Sequence, residues 1–238
     1  MVLIIVSSLD FRLGLSRYTH PEAHKAKYYY NGDEHSLYRK AHLSNLLSEI
    51  CDVVYADTPV INNEVINKNN LTTVAQNSRT KLLTGLLANP LQPNLGLTGS
   101  GQEVSFMRST LITTGILQHD EDDVSLNLSP VDERLCRVLG IIDAFFEQTK
   151  TTGAASFSSL YQMLTGPQHS IGMRKGIIPI YIAAVLRKHH KNVVIYDQFG
   201  EVNVTPNILN EINEDPGAYT VKIEDWTDEK AEYIDCCV

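Results

Sequence analysis

The sequence has no long apolar run. Its longest nearly unbroken stretch, Ile177 to Leu186, has ten residues, well short of the roughly 18 that span a bilayer, so no membrane partner is expected. Cysteine is scarce and unpatterned: Cys51, Cys136, Cys236 and Cys237 include no C-x-x-C pair and no histidine at zinc spacing. A reduced, cytoplasmic protein is the simplest reading. Met1 to Val6 is apolar but lacks a preceding positive region, which makes a poor secretory signal. Positive charge is also short, with 20 Lys and Arg against 28 Asp and Glu and a net charge of −8. No global attraction to nucleic acid or anionic lipid follows from that balance. Nor is there a Gly-x-Ser-x-Gly nucleophile elbow. What remains is 238 residues, 43 % apolar and 20 % charged, enough for one large domain or two small ones.

The charge is unevenly spread. Residues 1–118 carry a net +1 and residues 119–238 a net −9. Within the second part, residues 168–200 are locally +4, and the chain from Glu211 onward is −7. The acidic run His119-Asp-Glu-Asp-Asp123, ahead of the Ser129-Pro130 helix-start signal, marks the expected boundary. This predicts a mostly helical domain over 1–118, an acidic linker over 119–130, a second domain over 131–225 and an acidic tail over 226–238.

Apolar spacing supports these assignments. Leu43, Leu46, Leu47, Ile50, Val53 and Val54 form the stripe of an amphipathic helix over 37–54, on which Cys51 is expected to be a core thiol. Thr58-Pro59 predicts a short helix through Lys68, and Asn70 or Thr72 caps the next, which stops at Asn89-Pro90. A further helix spans 103–114. Lys27 to Gly32 reads as a strand entering a turn, and Leu3 to Val6 as a strand. In the second part, helices are expected over 131–148, 157–165 and 176–190, then strands over 193–196 and 202–204. A helix from Thr205-Pro206 to Asn213 and an edge strand over 219–223 complete the list. Three helices followed by a β-hairpin is the winged-helix order, so the expected class is mainly α (α+β), a helical domain followed by a winged-helix-like domain.

The candidate chemistry is thin. Gly96-Leu-Thr-Gly-Ser-Gly101 has Walker-loop glycine spacing, but Gln102 and Glu103 stand where Lys and Ser/Thr belong, which leaves no cation for the phosphates; a flexible turn is expected. His20 and His24 are four apart, but Pro21 follows the first and no third ligand is obvious, so a solvated helix start is preferred to a metal site. Asp120 to Asp123 reads as solvated linker. The Asn-rich segment Asn62, Asn63, Glu64 and Asn67 stands out because Asn is a poor helix former; it implies tertiary hydrogen bonds or a partner surface. The helix from Gly176 is apolar almost all round and cannot read bases. Its flanking cations, Arg174, Lys175, Arg187, Lys188 and Lys191, leave only contact with the DNA backbone open. No catalytic constellation or cofactor site is visible.

The run Ser48-Glu-Ile-Cys-Asp-Val-Val-Tyr55, Thr58-Pro59, Ile61-Asn-Asn-Glu-Val-Ile-Asn67, Asn94-Leu-Gly-Leu97, the stretch 103–115 and Arg174-Lys-Gly-Ile-Ile-Pro-Ile180 keep an order that resembles large bacterial P-loop ATPases of phage-defence and restriction islands, the BREX-type ATP-binding proteins. In that family such segments lie downstream of the motor, in a helical region followed by a winged-helix-like module. The resemblance spans about Lys27 to Lys222 and includes no Walker loop or Walker B strand. It implies a piece cut from such an ATPase or a relative without the motor. The expected function is a non-catalytic interaction module, antiviral in context. It would dock other subunits through Asn62, Asn63, Glu64 and Asn67 and contact double-stranded DNA backbone through the five cations. A protein scaffold with no nucleic-acid role is the alternative.

Overall fold

The computed structural model describes residues 28–119 and 124–224. The expectations for Leu3 to Val6, for His20 and His24, for Asp120 to Asp123 and for the tail over 226–238 lie outside the described residues. The chain divides into two compact units, residues 1–56 and 57–238.

In the first unit, Tyr28–Tyr30 (β1) and Asp33–His35 (β2) form an antiparallel hairpin with Tyr30 opposite Asp33. Asn31 and Gly32 make its two-residue turn at φ 53° and 95°, the left-handed pair that Asn-Gly adopts most readily. The following helix α1 (Lys40–Val54) buries Leu43 and Ile50 and exposes Leu47 and Val53. Cys51 is exposed as well, which corrects the core-thiol expectation. One step along a helix turns about 100°, enough to carry Cys51 off the face that holds Ile50.

The second unit begins with a segment of turns instead of the short helix expected over 59–68. Asn63 causes the departure. Its side-chain oxygen takes the N–H groups of Val65 and Ile66, the local competition with helix that makes Asn a turn former. Helix α2 (Thr73–Leu87) then starts on the Thr72 hydroxyl, which accepts from the Ala75 N–H at 3.3 Å. A 3-10 turn (Pro93–Gly96) leads to α3 (Gln102–Met107), which runs on into a π-helical turn, Arg108–Ile112. Strands β3 (Leu117–His119) and β4 (Val124–Leu126) pair antiparallel, so the chain on either side of the acidic run is tied together.

Helix α4 (Glu133–Thr152) is capped by Asp132, whose carboxylate accepts from Arg134 and Leu135 N–H. The helix thus starts on Asp132, three residues after the Ser129-Pro130 signal, because the Asp132 carboxylate takes two of the free N–H groups of its first turn. Then come β5 (Ala155–Ser156), α5 (Phe157–Thr165), α6 (Ile178–Leu186), β6 (Val193–Tyr196), β7 (Glu201–Val202), α7 (Pro206–Glu214) and β8 (Thr220–Ile223). The four short strands form one antiparallel sheet in the order β5-β8-β6-β7. The expected edge strand β8 is thus an inner one. Its alternation arises because Val221 and Ile223 face the core while Thr220 and Lys222 do not, the one-sided burial of an antiparallel sheet.

Every residue of α6 is buried, as its apolar circumference requires. It packs against α2, α4 and α7. One apolar cluster runs from Ile61 to Ile223, with members on both sides of residues 119–130. The division therefore falls at residue 56 and not at that acidic run: α2 is buried against α6 and α7, about a hundred residues later in the chain. Two buried polar ties reinforce this core. The Thr149 hydroxyl accepts the Ile223 N–H at 2.8 Å, which joins α4 to β8. Arg79, 1 % exposed, donates from Nε to the Asn210 side-chain oxygen at 3.0 Å and from Nη1 to the Gly176 carbonyl at 3.2 Å.

The described residues are mixed α/β, predominantly helical with small antiparallel sheets. None of their helices is long and apolar enough to cross a membrane.

Candidate functional site

Three segments singled out by the sequence meet at one polar concavity. Asn63 donates from Nδ2 to the hydroxyls of Ser109 at 3.1 Å and Ser105 at 3.4 Å, so the turn over 62–67 is fastened to α3 and its π turn. The pocket beside this contact has a volume of about 270 Å³. It is walled by Asn62 and Asn63, by Ser100 and Gly101 of the glycine-spaced loop, and by Val104, Ser105, Arg108, Ser109 and Thr113. Val104 is the one apolar side chain in that wall and Arg108 the one charged group.

Local chemistry explains the wall. Residues 103–114 are rich in Ser and Thr, whose hydroxyls bond back to carbonyls one turn earlier: Ser109 to Ser105, Thr110 to Phe106 and Thr114 to Thr110. Such back-bonds loosen and bend a helix. Here the ladder widens, with the Thr113 N–H donating to the Arg108 carbonyl five residues back at 2.8 Å. The π turn brings Arg108, Ser109 and Thr113 onto the pocket side. Turns of this kind recur at functional sites.

The glycine-spaced loop departs from a Walker loop in geometry as well as in residues. It follows a 3-10 turn in which Asn94 and Leu95 are left-handed (φ 51° and 56°), whereas a phosphate loop follows a strand. Leu95 packs so tightly on α2 that a Cβ on Gly85 would lie 2.4 Å from its carbonyl oxygen. Glu103 folds back over Gly101. Its carboxyl is held below the usual range, first by its own backbone N–H and then by Lys81, whose Nζ is 3.2 Å away.

The predicted partner-binding residues are not gathered equally. Asn62 and Asn63 line the pocket, while Glu64 and Asn67 are exposed and do not. The five predicted nucleic-acid residues do not form one patch. Arg187, its charge disfavoured by burial, donates to the carbonyls of Leu86 and Ala88 and so closes the C-terminal end of α2. Lys188 grips both oxygens of Asp143, at 2.8 and 3.0 Å. That leaves Arg174 and Lys191 exposed and Lys175 half-buried. They lie beyond opposite ends of α6, which rises roughly 13 Å over its length.

Sequence reading missed two clusters. His189, 7 % exposed, sits between Asp143, at 2.7 Å from Nε2, and Glu147, at 3.6 Å from Nδ1. The three groups have the types and spacing of a metal set, with ligand atoms within 4.8 Å of one another. However, the carboxylates address opposite ring nitrogens, and each already has a lysine: Lys188 on Asp143 and Lys150 on Glu147 at 2.6 Å. The charges cancel without an ion, so the cluster acts as a strut that pins the end of α6 to α4. The i, i+4 carboxylates of α4 were its only sequence signal. The second missed cluster is Arg79 with Asn210. An arginine inside an apolar helical stripe gives no hint of its partner 131 residues away.

Comparisons with protein-family models, with curated proteins and with solved structures find no match.

Proposed function

We propose that this chain is a non-catalytic interaction module that works beside a P-loop ATPase of the phage-defence type, in the cytoplasm, and docks a partner subunit through the surface around Asn62, Asn63 and Arg108. One observation carries this reading. The segments 61–67 and 103–115, which bear much of the resemblance to those ATPases, are fastened to each other by Asn63. A third segment, 174–180, joins them through the Gly176 N–H, which donates to the Lys68 carbonyl at 2.8 Å. The order α4, α5, α6 and the β6–β7 hairpin supports a winged-helix-like reading of residues 131–225, with β8 added between β5 and β6. DNA backbone contact falls to Arg174, Lys175 and Lys191, since Arg187 and Lys188 are committed to internal partners.

The test is a photo-crosslinking amino acid in place of Glu64, introduced in cells of the source organism. The expected product contains a P-loop ATPase subunit and disappears when Arg108→Glu is added. Crosslinks that never contain such a subunit would refute the proposal. For DNA, anisotropy with a 30-base-pair duplex at low salt should show weak binding that Arg174→Glu, Lys175→Glu and Lys191→Glu together abolish.

A further inference from the structure

Resting on the partner-docking reading of the same surface, we infer that the pocket around Arg108 is a binding site for a phosphoryl group, either free phosphate or the phosphate of a small ester.

The argument begins with donors. Among the described residues Arg108 has no ion-pair or hydrogen-bonding partner for its guanidinium, and it is the one cation in the pocket wall. The hydroxyls of Ser100 and Thr113 and the amide of Asn62 have no protein partner there either. The Ser105 hydroxyl accepts from Asn63 and donates to no other residue, so its proton is available. Asn63 spends its oxygen on the backbone of Val65 and Ile66. It therefore presents the two serines with its NH₂ and holds their lone pairs away from the pocket's contents. A guanidinium among hydroxyl and amide donors is the chemistry that recognises a tetrahedral oxyanion.

Charge and size narrow the choice. No carboxylate lines the pocket. Glu103, which lies against Gly101 in the wall, is paired with Lys81, and Glu64 is exposed and outside the lining. At about 270 Å³ the concavity lies below the usual range for drug-sized ligands, roughly 300–1,000 Å³, which fits a phosphate or a small phosphate ester better than a whole nucleotide. The cation that the glycine-spaced loop lacks at Gln102 is supplied by Arg108, six residues later, to the pocket that Ser100 and Gly101 of that loop line.

The experiment is an amide NMR titration of the ¹⁵N-labelled chain with inorganic phosphate and, separately, ribose 5-phosphate, with chloride at matched ionic strength as the control. Saturable shifts concentrated on Ser100, Gly101, Ser105, Arg108 and Thr113 are expected with phosphate compounds and not with chloride. Arg108→Gln, at an exposed position that does not support the fold, should weaken binding at least about tenfold, and Lys191→Gln should leave it unchanged. Ribose 5-phosphate binding tenfold tighter than phosphate identifies the ester as the source; equal affinity identifies phosphate alone. No saturation by either at 10 mM added ligand, or shifts that Arg108→Gln leaves intact, overturns the inference. The crosslink at Glu64 separates the two claims. A trapped ATPase subunit with no phosphate binding leaves the docking reading standing and removes this one.

Discussion

Replacing Arg79 by Met is the sharpest probe of how this fold is held. The guanidinium is buried, and burial pushes its pKa below the ordinary arginine value, yet its hydrogen-bonding partners are neutral: the Asn210 side-chain oxygen and the Gly176 carbonyl. Met fills much of the same volume, so the loss is polar rather than a cavity. Two buried acceptors are left unpaired, each costing about 1–3 kcal/mol, offset in part because a buried charge no longer has to be desolvated. The net expectation is a loss of about 2–4 kcal/mol. Asn210→Leu alone should cost a similar amount because it strands the Arg79 Nε–H. The double variant removes donor and acceptor together, leaving the Gly176 carbonyl as the main unpaired group. It should therefore fall short of the summed single losses by about 1–2 kcal/mol. Urea unfolding followed by far-ultraviolet circular dichroism reads all three. If Arg79→Met is as stable as the natural chain, or if the two losses simply add, then the arginine is a passenger in the core and the reasoning fails.

Acid should test the strut around His189. Asp143 would be raised by burial, but hydrogen bonds from Lys188 and His189 outweigh this and hold it below its ordinary value; Glu147 is lowered mainly by Lys150. A depressed carboxyl stabilises the fold above its unfolded pKa, and that contribution is lost as pH falls through the folded one. Melting temperature should therefore drop between about pH 5 and pH 3, less steeply in Lys188→Met; an identical slope in the two proteins would contradict it. Gly176→Ala puts a Cβ 2.1 Å from the Ile66 carbonyl oxygen, against backbone that cannot yield, and should cost about 3 kcal/mol. Gly140→Ala, with nothing within 4 Å of the added carbon, should gain stability by up to about 1 kcal/mol in the same denaturation assay. Thr149→Val strands the Ile223 N–H and should speed amide exchange at Ile223 ahead of its neighbours; uniform acceleration would point to global loosening instead.

Much of the architecture was legible from spacing alone. Helix α5 and strand β6 fall where the apolar pattern puts them, and α2 begins at a cap offered by the sequence. The failures have physical causes. Thr58-Pro59 looks like a helix start because the signal is local, whereas Asn63 turns its oxygen on its own backbone and its amide on serines more than forty residues away. Residues 103–114 read as one helix because periodicity cannot distinguish α from π. At the site, Asn62 and Asn63 were legible from composition. Arg108 was not, since a lone arginine on a short helix acquires meaning only from what faces it. The cations around α6 failed in the opposite way: they are adjacent in sequence, but Arg187 and Lys188 turn inward to carbonyls and a carboxylate.

The place of β8 has a consequence for how the polypeptide is made. Among the described residues the last strand in chain order occupies an inner position, with β5 on one side and β6 on the other, and it also supplies the N–H that Thr149 receives. On the ribosome, β5 and β6 would both have emerged with nothing to pair with between them, and Arg79 would wait for Asn210 through most of translation. The second unit is thus expected to close only after residue 223 has left the exit tunnel, in one late step rather than piece by piece. A nascent chain stalled before that point would present two unpaired strand edges and the face of α4 that β8 covers, the kind of surface that chaperones bind.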